Sequence, residues 1–171
     1  MIDLKKIIIG SSNFYTSYGY DRKPVGQIDV KRILNFSKKN KINKIDIATN
    51  YLADSKVYRD FDFANWKVSF NLTKEKNGNF DSEKILRHYI DLKLKNINNT
   101  KIDYFLFHSP EEFLSTWGKK VFKVLSKLKL EGKIDKIGVS VYDPAELKKI
   151  IINFKIDVVQ APFNILDQRF C

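Results

Sequence analysis

The sequence has one cysteine, Cys171, and it is the last residue. A lone thiol excludes a disulfide framework and a cysteine-based metal site. There are two histidines; His88 falls inside a predicted helix, which leaves His108 without an imidazole partner and argues against metal catalysis. No apolar run is long enough to span a bilayer. The three isoleucines after Lys5-Lys6 are too few for a signal peptide, and no small-residue cleavage site follows, so a cytoplasmic protein is expected. Arginine is scarce: it occurs at Arg22, Arg32, Arg59, Arg87 and Arg169 only. The net charge of +11 is therefore a lysine charge spread along the chain. Nucleic-acid sites favour clustered arginine and exposed aromatics, and no such cluster is seen, so no specific nucleic-acid partner is expected. A GxGxxG after the first strand is also missing, which counts against a dinucleotide-binding open sheet.

What remains is an ordinary soluble composition. The 171 residues are 43% hydrophobic and 30% charged, enough for one domain with a proper core. Strand-like runs lie at 6–10, 44–48, 67–72, 103–108, 136–141 and 157–161, with helix-like runs between them. Asp29 is placed to cap the first helix, with Ile33, Leu34 and Phe36 as its apolar stripe; Asp81 is placed to cap another. Ser109-Pro110-Glu111-Glu112 has the form of a capping box with proline at the first helical position. Gly132 can end the helix that follows, and Asp143-Pro144 opens the last one. Strict alternation of strand and helix implies a parallel sheet covered by helices. The short strands and regular spacing favour a (β/α) barrel.

Side chains alternate across a strand, so a period of two sorts each run into two faces. Ile45 and Ile47 share one face and Asp46 takes the other; Val68, Phe70 and Leu72 oppose Asn71. By the same count His108, Ser140 and Gln160 stand with Asp46 and Asn71 near the carboxyl ends of their strands. In a barrel of this kind that end carries the active site. Any one of these could be a satisfied core group. Five polar residues converging on one rim point to a site.

The same stretches resemble the aldo-keto reductases, NADP(H)-dependent oxidoreductases of the (β/α)₈ barrel fold. IIIGSSNFYTSYGY is similar to the family's first strand and loop, and INKIDIATNYLADSK to its INxIDTAxxYGxSE signature. IDYFLFHSP, LKLEGKIDKIGVSVYD and DVVQAPFNILDQRF resemble its DYxLxHxP, LxxxGKIRxIGVSNF and DxxQxPYNLLDRR stretches. The family's catalytic group is an aspartate, a tyrosine, a lysine and a histidine. Resemblance puts Asp46, Tyr51 and His108 at three of those positions. It makes Tyr51 the proton donor to a small-molecule carbonyl substrate, with His108 holding the oxygen and Asp46 pairing the lysine that lowers the phenol's pKa. It also puts Ser11, Ser12, Ser140 and Gln160 at the nicotinamide end of the cofactor.

Two departures from the family pattern stand out. The lysine position reads Asn71; Lys74 lies three residues on, with the opposite parity if the strand continues. The pair that usually reads Ser-Asn is Ser140-Val141. In addition, residues 1–171 account for about six of eight βα units, one partial barrel domain, where a complete barrel takes about 250 residues. The family grips the cofactor's phosphates with segments after strands seven and eight, so weak NADP(H) binding is expected. Open sheet edges make self-association an expectation too. The resemblance thus implies carbonyl reduction in a truncated form, with a non-catalytic interaction or regulatory module built on the barrel as the alternative.

Overall fold

The computed structural model describes residues 3–14, 23, 25–48, 61–72, 80 and 82–171. Tyr51 and Lys74 lie outside the described residues. Six strands form one sheet in chain order: β1 (Ile9–Gly10), β2 (Lys44–Ala48), β3 (Lys67–Leu72), β4 (Ile102–Phe107), β5 (Ile134–Ser140) and β6 (Val158–Gln160). Every neighbouring pair is parallel. The helices are α1 (Gln27–Lys39), α2 (Glu83–Asn96), α3 (Pro110–Leu114), α4 (Thr116–Leu130) and α5 (Pro144–Asn153). The sheet curls: a β6 side chain, Gln160, bonds a β2 side chain, Asp46, four strands away. The result is an incomplete (β/α) barrel.

Register explains the core. Ile47, Phe70, Phe105 and Ile137 lie side by side across β2 to β5. All four are buried. Leu72, Phe107 and Val139 form the next row and are also buried. This face meets the helices: Phe107 stacks on Phe113 of α3 at 4.2 Å between ring centroids, and Phe113 on Phe154 at 4.4 Å. Full burial of such side chains contributes roughly 1.5–3 kcal/mol each before entropy is counted.

The triplet Lys-Ile-Asp occurs four times, at 44–46, 101–103, 133–135 and 155–157. Two of these aspartates do the same work. Asp103 accepts the Val68 N–H of β3 at 2.9 Å, and Asp157 accepts the Ile137 N–H of β5 at 2.9 Å. Each thus ties the start of its own strand to the strand before it. Burial works against ionisation of Asp157, but the Ile137 N–H and the Lys129 ammonium outweigh it and hold its carboxyl below the ordinary value.

Several terminators act as the sequence predicts. Ser109 accepts the Glu112 N–H at 3.3 Å with Pro110 opening α3, and Asp143 accepts the Ala145 N–H at 2.7 Å with Pro144 opening α5. Gly132, at φ 78°, follows α4 in the left-handed region that a side chain would strain.

Other expectations need correction. Helix α1 starts after Gly26, so Asp29 sits inside its first turn and pairs with Arg32 at 3.1 Å. Its buried residues are Val30, Leu34 and Ser37, while Ile33 and Phe36 are exposed. Phe36 stands two residues beyond Leu34, more than half a turn around the helix, so both cannot face the core. Helix α2 is capped by Ser82, which accepts the Ile85 N–H at 3.3 Å; Asp81 lies outside the described residues. The first strand is shorter than 6–10 because Leu4–Lys6 form a 3₁₀ turn capped by Asp3. Strands β4, β5 and β6 shift by one or two residues from their expected ends.

Candidate functional site

The face away from the helices carries the polar set. One row runs from Gly10 through Asp46, Ser69 and Tyr104 to Lys136, one residue from each of β1 to β5. The next row towards the carboxyl ends runs from Ala48 through Asn71, Leu106 and Gly138 to Val158. Ser140 and Gln160 pair one step further on.

Gly138 is what lets β6 come close. A Cβ on it would lie 2.0 Å from the Val158 carbonyl oxygen and 2.6 Å from its Cγ1. No side chain fits that gap, so glycine permits the tight approach that turns Gln160 over the inner face.

There four residues form a ring of polar contacts. Asn71 Nδ2 donates to Asp46 Oδ1 at 2.6 Å, and Gln160 Nε2 donates to Asp46 Oδ2 at 2.9 Å. Ser140 Oγ lies 2.6 Å from Gln160 Oε1 and 3.1 Å from Asn71 Oδ1. A hydroxyl has one hydrogen to give, so it serves one acceptor at a time, and the shorter distance favours Gln160. Asn71 and Ser140 are buried, at 6% exposure each. Asp46 is half-buried, and both its oxygens face neutral amides; among the described residues no cation lies within ion-pair reach of it.

Beside the ring is a cavity of about 500 Å³. Its walls include Ile8 and Gly10 at one edge of the sheet, Val158 to Ala161 at the other, and Asp46, Ser69, Tyr104 and Leu106 between them. Ser69 and Tyr104 were not singled out as site residues from the sequence. Strand parity was the available signal, since Ser69 shares a face with Asn71, and Tyr104 with His108.

The remaining sequence candidates are placed as follows. Ser11 is buried, and its hydroxyl donates to the Asp46 carbonyl oxygen at 2.8 Å, which pins the end of β1 to β2. Ser12 begins a 3₁₀ turn through Phe14 and is half-buried. His108 follows the last residue of β4 and is exposed; its backbone N–H donates to the Leu72 carbonyl at 2.9 Å. The structure thus brings Asp46, Asn71, Ser140 and Gln160 together, whereas His108 is not part of the ring.

The sequence matches the model of the Aldo/keto reductase family over residues 6–170. The chain belongs to the aldo/keto reductase family. Solved members share its fold at low identity. A putative aldo-keto reductase from Pseudomonas aeruginosa is 19% identical with a TM-score of 0.69, covering 95% of this chain and 64% of its own. The holo form of an aldo-keto reductase from Bacillus halodurans is 15% identical at TM-score 0.67, covering 92% and 53%. A glycerol dehydrogenase from Gluconobacter oxydans is 18% identical at TM-score 0.57, covering 94% and 52%. This reductase-family chain therefore spans between half and two thirds of the length of these structures. No curated protein sequence matched.

Members of the family generally use NADP(H). In this chain both polar ends of the Gln160 amide are engaged, one by Asp46 and one by Ser140. A nicotinamide carboxamide placed there would compete with those bonds for the Gln160 amide and the Ser140 hydroxyl. Among the described residues no helix is long and apolar enough to cross a membrane.

Proposed function

We propose that the chain carries the site of an NADP(H)-dependent carbonyl reductase in a form that does not turn over by itself. Family and fold suggest an oxidoreductase. Reducing a carbonyl places negative charge on its oxygen, so the site must supply a proton or a cation there. The observation that carries the reading is the bond from Asn71 to Asp46. At the position resembling the family's lysine an uncharged amide meets the aspartate, and among the described residues Asp46 gains a hydrogen bond but no counter-ion. Weak cofactor binding belongs to the same reading, and so does a cytoplasmic setting, in keeping with the lone cysteine.

The test is NADPH-linked reduction of 4-nitrobenzaldehyde. The chain should show no rate above the uncatalysed background. Asn71→Lys should restore turnover only when two further βα units are fused after Cys171. A rate in the unaltered chain that Tyr51→Phe abolishes would overturn the proposal.

A second reading is an interaction or regulatory module built on the barrel. It is favoured by exposed apolar residues beside β6: Phe163 at 68%, Ile165 at 87% and Leu166 at 94%. Among the described residues strands β1 and β6 each have one neighbour, so each would offer an edge for self-association. Sedimentation velocity checks this reading, and a stable monomer at high concentration would contradict it.

A further inference from the structure

Among the described residues no cation balances the charge of Asp46. Its two oxygens receive one amide N–H each, from Asn71 and Gln160. A carboxylate has about four acceptor positions, so capacity remains on the cavity side. The row that Asp46 shares with Ser69 and Tyr104 ends in Lys136 on β5. The Lys136 ammonium is held 5.7 Å from the centre of the Tyr104 ring and does not reach Asp46. Lys44, two residues before Asp46 on the same face of β2, makes no ion pair with it either. A half-buried carboxylate without a counter-charge is costly, and a cation brought by a ligand relieves that cost.

We propose that the cavity beside Asp46 binds a small organic cation, a primary ammonium group carried on an apolar body. The ammonium would donate to Asp46 and to the Ser69 hydroxyl. Ile8, Leu106, Val158 and the Tyr104 ring would enclose the apolar part. The volume of about 500 Å³ lies in the range of small-molecule pockets. The chain's overall positive charge does not forbid this. Exposed charges are largely screened beyond about 8 Å at physiological salt, whereas the contact with Asp46 is direct.

The proposal is independent of hydride transfer, and its test contains no nucleotide. The full chain is titrated calorimetrically with 2-phenylethylammonium, and with 2-phenylethanol and phenylacetate as neutral and anionic counterparts. The ammonium should saturate at about millimolar concentration or below, and the alcohol should bind at least about tenfold more weakly, since charge-assisted bonds are the stronger ones. Asp46→Asn should weaken ammonium binding by about tenfold or more. Asn71→Lys keeps Asp46 but gives it an internal counter-ion, and should weaken binding comparably. Circular dichroism establishes that each variant is folded, and either folded variant suffices. The proposal is overturned by equal binding of the alcohol or phenylacetate, by undiminished binding in a folded variant, or by no saturation of the unaltered chain.

Discussion

The middle of the sheet and its two edges are built to different standards. Strands β2 to β5 have five to seven residues each, and their helix-facing apolar side chains are buried. Strands β1 and β6 have two and three residues, and around them Ile8 and Val159 remain 45% and 38% exposed. The middle is held by apolar burial over several rows. The β6 edge is held to the inner face by a glycine, a serine hydroxyl and an amide. In this chain the polar ring joins the two regions: Asp46 and Asn71 belong to the middle, Gln160 to the edge. The chemistry of the site therefore depends on the weaker region staying in place.

The contrast is broken most severely in the middle. Phe105→Ala empties a buried site between Phe70 and Ile137 and should cost about 3–5 kcal/mol in denaturant unfolding. At the edge, Gly138→Ala puts a methyl against the Val158 carbonyl and should cost about 1–3 kcal/mol as β6 is pushed away. The same substitution should separate Gln160 from Asp46, visible as altered side-chain amide resonances of Gln160.

A smaller effect concerns pH. The Asp157 carboxyl is held below its ordinary value in the folded chain. Its contribution is therefore present above the unfolded-state pKa of about 3.9 and is lost as pH falls through the lower folded value. Asp157→Asn should remove part of the acid-induced loss of thermal stability while leaving the remaining carboxylates to titrate. Smallest of all, Leu166→Ser at a 94% exposed position should change unfolding free energy by no more than about 0.5 kcal/mol. If Leu166→Ser were as damaging as Phe105→Ala, the division between middle and edge would be wrong.

The sequence was most legible in the middle. Strands β2 and β3 run over the residues their apolar alternation indicates, because burial against helices on one face enforces that period. Parity also placed Asn71 towards Asp46, and the structure shows the two in contact. At the edges local signals gave way to context. Lys6 was read into β1, but the Asp3 cap draws it into a 3₁₀ turn. On α1, Ile33 and Phe36 look like core residues by composition, and helical geometry turns them outward. Parity set Gln160 on the same rim as Asp46, but the direct bond between them depends on sheet curvature and on Gly138, far from both in sequence.

Two of the residues expected to receive a nicotinamide, Ser140 and Gln160, are bonded to one another, and an uncharged Asn71 stands beside Asp46. Titration of the purified chain with NADPH, followed by nucleotide fluorescence, tests this arrangement most directly. The account predicts no saturation at micromolar nucleotide. Saturable micromolar binding that is lost in Gln160→Ala would contradict it, because it would show Gln160 released from Asp46 and Ser140 to hold the cofactor.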